Sequence, residues 1–481
     1  MCYLGHIWDI MYDVLSLASP DSGTEIPPQG ETDKKTMKSF AGDTFRTMGT
    51  SVAILAVSLF SSVVVARSLG PAGKGVFSLC MLFPALILVF SNLGVSTATV
   101  YHTARQDFSI KDITGNNIFL SLAISVLSVF AGLIVIFFFS ERLLPGVPRT
   151  FLLLSLCVIP LNVFLTNLRQ IFLGLRRIGQ LNLISCAQSV LDFCFIFLFL
   201  LVLKRGVPGG IVANVLGLFL VNLLVLRLLV RSCSCPITIS INPEYIKRTF
   251  AYGLKAYAAN ILGFLNYRLD MFLVNLFLAS YSVGIYSVAV GISEPLWIGS
   301  QAVSLILFPT IAAEKDETRR TAFTPLVCRT ILLITGIGCL ILFFLSPWLL
   351  QILYSNRFEP AVVPLRIVLI GIFTLTVGRF LCNDMSARGR PELSLYATFG
   401  GVVSNVAANL LLIPKMGIAG AALASTISYT LTTVAALIFY CRISGNRFWH
   451  VIIPQKTDWD LYKKWLNVLL NIFHLTGIRH P

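Results

Sequence analysis

Charge is what this chain has least of: 12% of its 481 residues are Asp, Glu, Lys or Arg, against 56% hydrophobic ones. So little polar surface cannot coat soluble domains of this length, and a mean hydropathy of +0.82 makes lipid the main solvent. Histidine is also scarce, its five copies confined to the tails and to a loop at His102. The eleven cysteines are scattered, mostly inside apolar runs (Cys80, Cys157, Cys186, Cys339), with no CxxC pair and no His at zinc spacing. The CxC at Cys233 and Cys235 reads as incidental. No metal or cofactor is expected, and no catalytic constellation stands out. The longest outer loops, near 140–149 and 350–360, are too short for a glycosyl-transfer or polymerase domain, so an enzyme is not expected. The formal charge of +15 does not point to nucleic acid, because Lys and Arg sit at the ends of apolar runs and not in a basic stripe.

What the chain has in abundance is apolar runs long enough to cross about 30 Å of hydrocarbon. Six lie at about 47–66, 76–100, 115–139, 150–174, 181–203 and 208–230, and six more at about 249–278, 283–312, 326–349, 361–387, 393–413 and 418–441. The expected organisation is a disordered extension over 1–45, a six-helix bundle over 46–231, a linker over 232–248, a second bundle over 249–441 and a tail over 442–481. The extension expectation rests on residues 19–36, rich in Pro, Gly, Ser, Thr and acids, and Met37 is an alternative start. Basic residues are denser on the side of the termini, which places both termini in the cytoplasm. In the tail, Trp459, Tyr462, Leu466, Leu469 and Phe473 form one stripe, either an in-plane helix on the inner leaflet or a helix packed on the bundle.

The two sets of six repeat. Leu69–Ser78 (LGPAGKGVFS) aligns with Leu278–Ser287 (LASYSVGIYS), pairing Gly75 with Gly284 and Phe77 with Tyr286 at an offset of 209. Arg176–Leu183 aligns with Arg388–Leu395 at 212, and Gly206–Ala213 with Gly417–Ala424 at 211. The expectation is an all-α integral membrane protein of about twelve transmembrane helices, in two six-helix bundles related by a pseudo-two-fold along the membrane normal with a cleft between them.

A charge at mid-bilayer costs at least about 2.5–3.5 kcal/mol, so buried ionisable groups are the functional candidates. Asp192, Arg268, Asp270 and Glu294 fall near span centres, and Arg169, Lys255 and Arg379 in the inner third. Lys255, Ala259, Gly263, Asn266 and Asp270 share one face of the seventh span, a small and polar stripe that should face the cleft. Arg268 points away from that face. Glu294, before the helix-kinking Pro295, is either a cation or proton site or a partner for Arg268. Arg169, Lys255 and Arg379 together suggest a cation ring for an anionic headgroup, since Arg binds diphosphate bidentately. Arg227 and Arg366 lie where they can snorkel, and Arg176, Arg177, Arg388 and Arg390 read as topology signals.

Four segments carry a resemblance: ARSLGPAGKGVFSL (66–79), YGLKAYAANILGFLNYRLDMFLVNLFLASYSVGIYSVAV (252–290), ILFPTIA (306–312) and ARGRPELSLYATFGGVVSNVAANLLLIPKMGIAGAALASTISY (387–429). Over about residues 45–445 the chain resembles the polysaccharide-transport, Wzx-like flippases of the multidrug/oligosaccharidyl-lipid/polysaccharide exporter superfamily. The resemblance implies translocation of undecaprenyl-diphosphate-linked oligosaccharide from the cytoplasmic to the periplasmic leaflet of a bacterial inner membrane, by alternating access through a cationic cavity. It matches Asp270 to an acidic position of the family and Lys255 and Arg268 to basic ones; the candidates are therefore Arg169, Lys255, Arg268, Arg379 and Asn266 for the headgroup, and Asp270, Glu294 and Asp192 for ion coupling. The expected partners are the lipid-linked oligosaccharide, the bilayer and a polysaccharide polymerase or export complex. The competing reading is a cation-coupled exporter of drugs or organic cations, which would need an acidic cleft.

Overall fold

The computed structural model describes residues 31–233, 239–297 and 317–455, with residues 458, 459 and 463. These form an all-α bundle. In chain order the helices are α1 (Glu31–Ser91), α2 (Val95–Arg105), α3 (Ile110–Leu143), α4 (Arg149–Ser155), α5 (Val158–Gly174), α6 (Ile178–Ile196), α7 (Gly206–Cys233), α8 (Pro243–Ser293), α9 (Glu317–Tyr354), α10 (Val362–Ala387), α11 (Pro391–Met416), α12 (Ile418–Ser444) and α13 (Phe448–Ile452). A π-helical turn extends α6 over Phe197–Val202.

Among the described residues ten helical stretches are long and apolar enough to cross a membrane. Two of them, Gly49–Ser91 and Tyr257–Trp297, run to 43 and 41 residues. A straight helix of that length would reach about 60 Å, twice the hydrocarbon thickness. Each is instead two arms meeting at one non-helical residue, Gly70 (φ 66°, ψ −179°) in α1 and Ala279 (φ 65°, ψ 175°) in α8. Pro71 explains the first break, because it disfavours helical backbone at the residue before it and suits a helix start itself.

The two breaks are 209 positions apart, and so are the contacts that follow them. A Cβ added to Gly75 would lie 1.7 Å from the Ser280 carbonyl oxygen, and one added to Gly284 would lie 1.8 Å from that of Pro71. Ser78 and Ser287 hydroxyls meet at 3.4 Å. The arms therefore touch backbone to backbone, and the contact is reciprocal: Pro71 corresponds to Ser280 as Gly75 does to Gly284. A second close approach joins Gly94, in the turn before α2, to Gly253 of α8, where a Cβ on either glycine would lie within 3 Å of the other's backbone. Small residues also seat α10 on α12. Gly371 and Gly378 face Thr426 and Thr433, whose hydroxyls donate to the carbonyls of Ile367 (2.9 Å) and Thr374 (3.0 Å).

Some expectations need correction. The span placed at 76–100 ends at Ser91, where an Asn92–Gly94 turn redirects the chain into α2. Helix α1 begins at Glu31, so it overlaps the extension placed at 1–45, and no proline interrupts the chain between Glu31 and Gly70. Residues 298–312 of the eighth expected span, Cys235 and most of the 459–473 stripe lie outside the described residues.

Ala279 occupies a backbone region that essentially only glycine adopts freely, at a cost of about 1–3 kcal/mol. Ala279→Gly is expected to raise the thermal midpoint of the detergent-purified protein. Gly75→Ala is expected to lower it sharply, while Gly400→Ala, where an added Cβ meets nothing within 4 Å, leaves it unchanged. A midpoint for Gly75→Ala equal to that of Gly400→Ala would refute the backbone contact.

Candidate functional site

The site is built on α8. Asn242 caps this helix, its side-chain oxygen accepting from the backbone N–H of Glu244 (3.0 Å) and Tyr245 (3.2 Å), and Pro243 opens the first turn. Further along, Ala259, Gly263 and Asn266 line a cavity of about 390 Å³. The remaining walls come from α10, which contributes Arg379 and Asn383, and from Thr398 of α11 and Thr432 of α12. The stripe expected on the seventh span thus faces the cavity from Ala259 to Asn266. All the lining residues belong to the second half of the chain.

Arg379 is the charged group of the cavity wall. Its guanidinium lies 4.7 Å from the Trp297 ring centroid and 5.4 Å from that of Tyr267. Tyr267 in turn contacts Trp297 (5.1 Å) and Tyr429 (5.8 Å). This aromatic cradle holds the cation without neutralising it. One Arg379 Nη nitrogen is buried and has no hydrogen-bond partner, and neither has Nδ2 of Asn266. Asn266 is oriented from its other end, where Oδ1 accepts from the Ser428 hydroxyl at 2.6 Å. Two buried donors without acceptors lining the same cavity suit an oxygen-rich anionic ligand.

Arg268 and Glu294 form a two-pronged ion pair, with Nη–Oε distances of 2.9 and 3.0 Å. Of the two roles open to Glu294, the structure builds the Arg268 partner. The same short turn, Glu294–Trp297, carries Trp297 to Arg379, so the pair anchors one wall of the aromatic cradle. Asp270 is buried and lies off the cavity. Its carboxylate accepts from the Tyr286 hydroxyl (2.5 Å), the Ser425 hydroxyl (3.1 Å) and the backbone N–H of Met271 (2.8 Å).

The expected cation ring is not assembled among the described residues. Arg169 on α5 is half-buried, lines no part of this cavity and has no described ion pair, and the side chain of Lys255 lies outside the described residues. Asp192, on α6, packs against Gly217 of α7 with Oδ1 buried and unbonded, far along the chain from the cavity wall. Two cations read as snorkelling or topology features are bonded inside the bundle, Arg388 with its side chain buried and Arg366 half-buried. Arg388 pairs with Asp384 at 2.7 Å, both almost fully buried, and Asp384 also accepts from Thr324 at 3.0 Å. Arg366 donates to the Phe343 carbonyl (3.1 Å) and lies 4.7 Å over the Phe343 ring. Sequence reasoning passed over the aromatic cradle, although Tyr267 sits in the NYRLD block, and over Arg329, which makes a bidentate pair with Asp458 at 2.6 and 2.8 Å. No cluster of His, Cys, Asp or Glu suited to a metal occurs among the described residues.

A family model described as "Polysaccharide biosynthesis protein" matches residues 64–363. The chain belongs to that family. Its fold is that of the multidrug/oligosaccharidyl-lipid/polysaccharide exporter superfamily. The inward-closed lipid II flippase MurJ superposes with a TM-score of 0.68 at 16% identity, covering 90% of this chain and 93% of that one. An inward-facing multidrug transporter of the superfamily gives 0.65 at 16% identity, covering 81% and 94%. Among curated proteins, the "probable low-salt glycan biosynthesis flippase" of Haloferax volcanii is 26% identical over 189 residues, 38% of this chain and 40% of that protein. The chain spans less than half the length of the first curated relatives it matches. This family member is a multi-pass integral membrane protein.

Removing either partner of the Arg268–Glu294 pair leaves a partly buried charge alone. In a double-mutant cycle of Arg268→Ala and Glu294→Ala, read by thermal unfolding, the coupling is expected at about 0.5–3 kcal/mol. Strict additivity would show that the pair does not hold the turn.

Proposed function

We propose that this protein translocates a lipid-linked oligosaccharide across the membrane by alternating access, with the Arg379 cavity receiving the anionic headgroup. The observation that carries the proposal is the pair of buried, acceptor-less donors on Arg379 and Asn266 in a polar cavity of a membrane-spanning bundle. A diphosphate supplies the missing acceptors, and the guanidinium supplies the opposite charge. The neighbouring Asn260, Asn383, Thr398 and Thr432 suit saccharide hydroxyls. A cation exporter would need an acidic wall, and the charged group here is basic.

The architecture proposed is twelve spans in two six-helix halves around a pseudo-two-fold along the membrane normal. The equal spacing of the Gly70 and Ala279 breaks and the reciprocal Gly75–Gly284 contact support it. With basic residues concentrated on the side of the termini, the cavity loads from the cytoplasm of a bacterial cell, and the product leaves on the outer leaflet for a polymerase or export complex. Moving negative charge outward across an inside-negative membrane is favoured by about 2.3 kcal/mol per charge per 100 mV. If a coupling ion is used, Asp270 is its proposed carrier, because Glu294 is held by Arg268 and Asp192 lies in the other half. Arg169 and Lys255 remain in the proposal as entry cations outside the described cavity.

The test is translocation of a fluorescent undecaprenyl-diphosphate disaccharide in proteoliposomes. Arg379→Ala is expected to slow it about ten- to a hundredfold, the loss of a charged hydrogen bond. Arg379→Lys should fall in between, with unfolding temperatures unchanged. Wild-type rates for Arg379→Ala, or efflux of cationic dyes without lipid dependence, would overturn the reading.

A further inference from the structure

Lys74 is buried, 9% exposed, in the arm of α1 that follows the Gly70 break. No carboxylate lies within ion-pair distance of it among the described residues. Its Nζ reaches only the Ser62 hydroxyl at 3.4 Å, with the Phe77 ring centroid 6.0 Å away. An ammonium has three donors, so two are left without acceptors among the described residues. The Tyr354 hydroxyl also points to Ser62, at 3.3 Å, so a cation and two hydroxyls from three helix arms converge on one spot.

The surroundings add charge of the same sign. Arg67 donates to the carbonyls of Leu353 (2.7 Å) and Ile352 at the end of α9, and an Arg357 Nη nitrogen lies 3.8 Å from the Cβ position of Gly70. Both arginines are exposed, and Glu359, the acid nearest to Arg357 in sequence, is exposed as well. Lys74 lies one helical turn inside this basic mouth and beside Gly75, at the seam where the arms of α1 and α8 close on each other. A lone buried cation is costly as structure, and replacing buried charge by apolar side chains is often neutral or stabilising. Something other than stability keeps it there.

We infer that Lys74, with the Ser62 and Tyr354 hydroxyls, forms a second phosphate-receiving site, at the end of the bundle opposite the termini. The seam hides it in the conformation described, and parting of the seam exposes it to a headgroup leaving the Arg379 cavity. The inference rests on the flippase reading above. Its ligand is a phosphoryl group, either that of the translocated lipid, which we favour, or that of a resident phospholipid.

The full-length protein is reconstituted in phosphatidylcholine liposomes with and without phosphatidylglycerol, and translocation of the fluorescent undecaprenyl-diphosphate disaccharide is followed alongside thermal unfolding. Lys74→Met is expected to slow translocation about tenfold or more in both membranes while its unfolding temperature holds or rises. Lys74→Arg, which keeps the charge, restores most of the rate. A lowered unfolding temperature together with failed rescue by Lys74→Arg would make Lys74 a structural residue and overturn the site. A defect confined to phosphatidylglycerol membranes would assign the site to a resident phospholipid and overturn the substrate assignment. A wild-type rate for Lys74→Met beside an impaired Arg379→Ala sinks this inference alone, whereas wild-type rates for both sink the flippase reading with it.

Discussion

At Gly75 and Gly284 the arms that follow Gly70 and Ala279 meet with no side chain between them. Gly75 and Gly284 each lie against the other arm's backbone carbonyl, closer than any Cβ allows. In a bilayer this kind of contact replaces the hydrophobic drive that water would supply, because lipid tails solvate Leu and Val as well as a helix partner does. The seam therefore sets where α1 and α8 can lie, and with them the α8 wall of the cavity and the position of Lys74.

Around that seam the charges divide by what surrounds them. Arg329 with Asp458, Arg388 with Asp384, and Arg268 with Glu294 are paired and hydrogen-bonded, as removal from water demands. Asp270 is saturated by two hydroxyls and a backbone N–H. Arg379 and Lys74 are different: one is cradled by aromatic rings, the other set among hydroxyls, and neither has a described carboxylate. In the proposed function, a protein that carries an anion needs cations whose counter-charge arrives with the cargo; the paired groups would then hold the walls in place and the unpaired ones receive the ligand.

Much of this was legible along the chain. The apolar runs determined an all-α membrane protein, because in lipid only a helix or a closed barrel satisfies its own backbone. The repeat at 209 anticipated the paired breaks and the paired glycines, and the 3.6-residue period correctly put Ala259, Gly263 and Asn266 on one cavity face. That same period failed one turn later, at Asp270, which faces Tyr286 and Ser425 and not the cavity. Helix phase tells which residues share a face; it does not tell where along that face a neighbouring helix closes in.

Sequence by itself, then, determined the solvent, the all-α class and the short list of charges, since each depends on composition or on spacing within one segment. Only the tertiary structure decided partnership. Arg268 and Glu294 are separated by 26 positions, Arg329 and Asp458 by 129, and Tyr354 and Ser62 by 292. Whether a buried cation is neutralised, cradled or left open depends on groups brought to it from other helices, and no local pattern records them. That is why Arg366 reads along the chain as a snorkelling residue and Arg388 as a topology signal although both are bonded to other groups, and why nothing in its glycine-rich motif marks Lys74 as a buried cation.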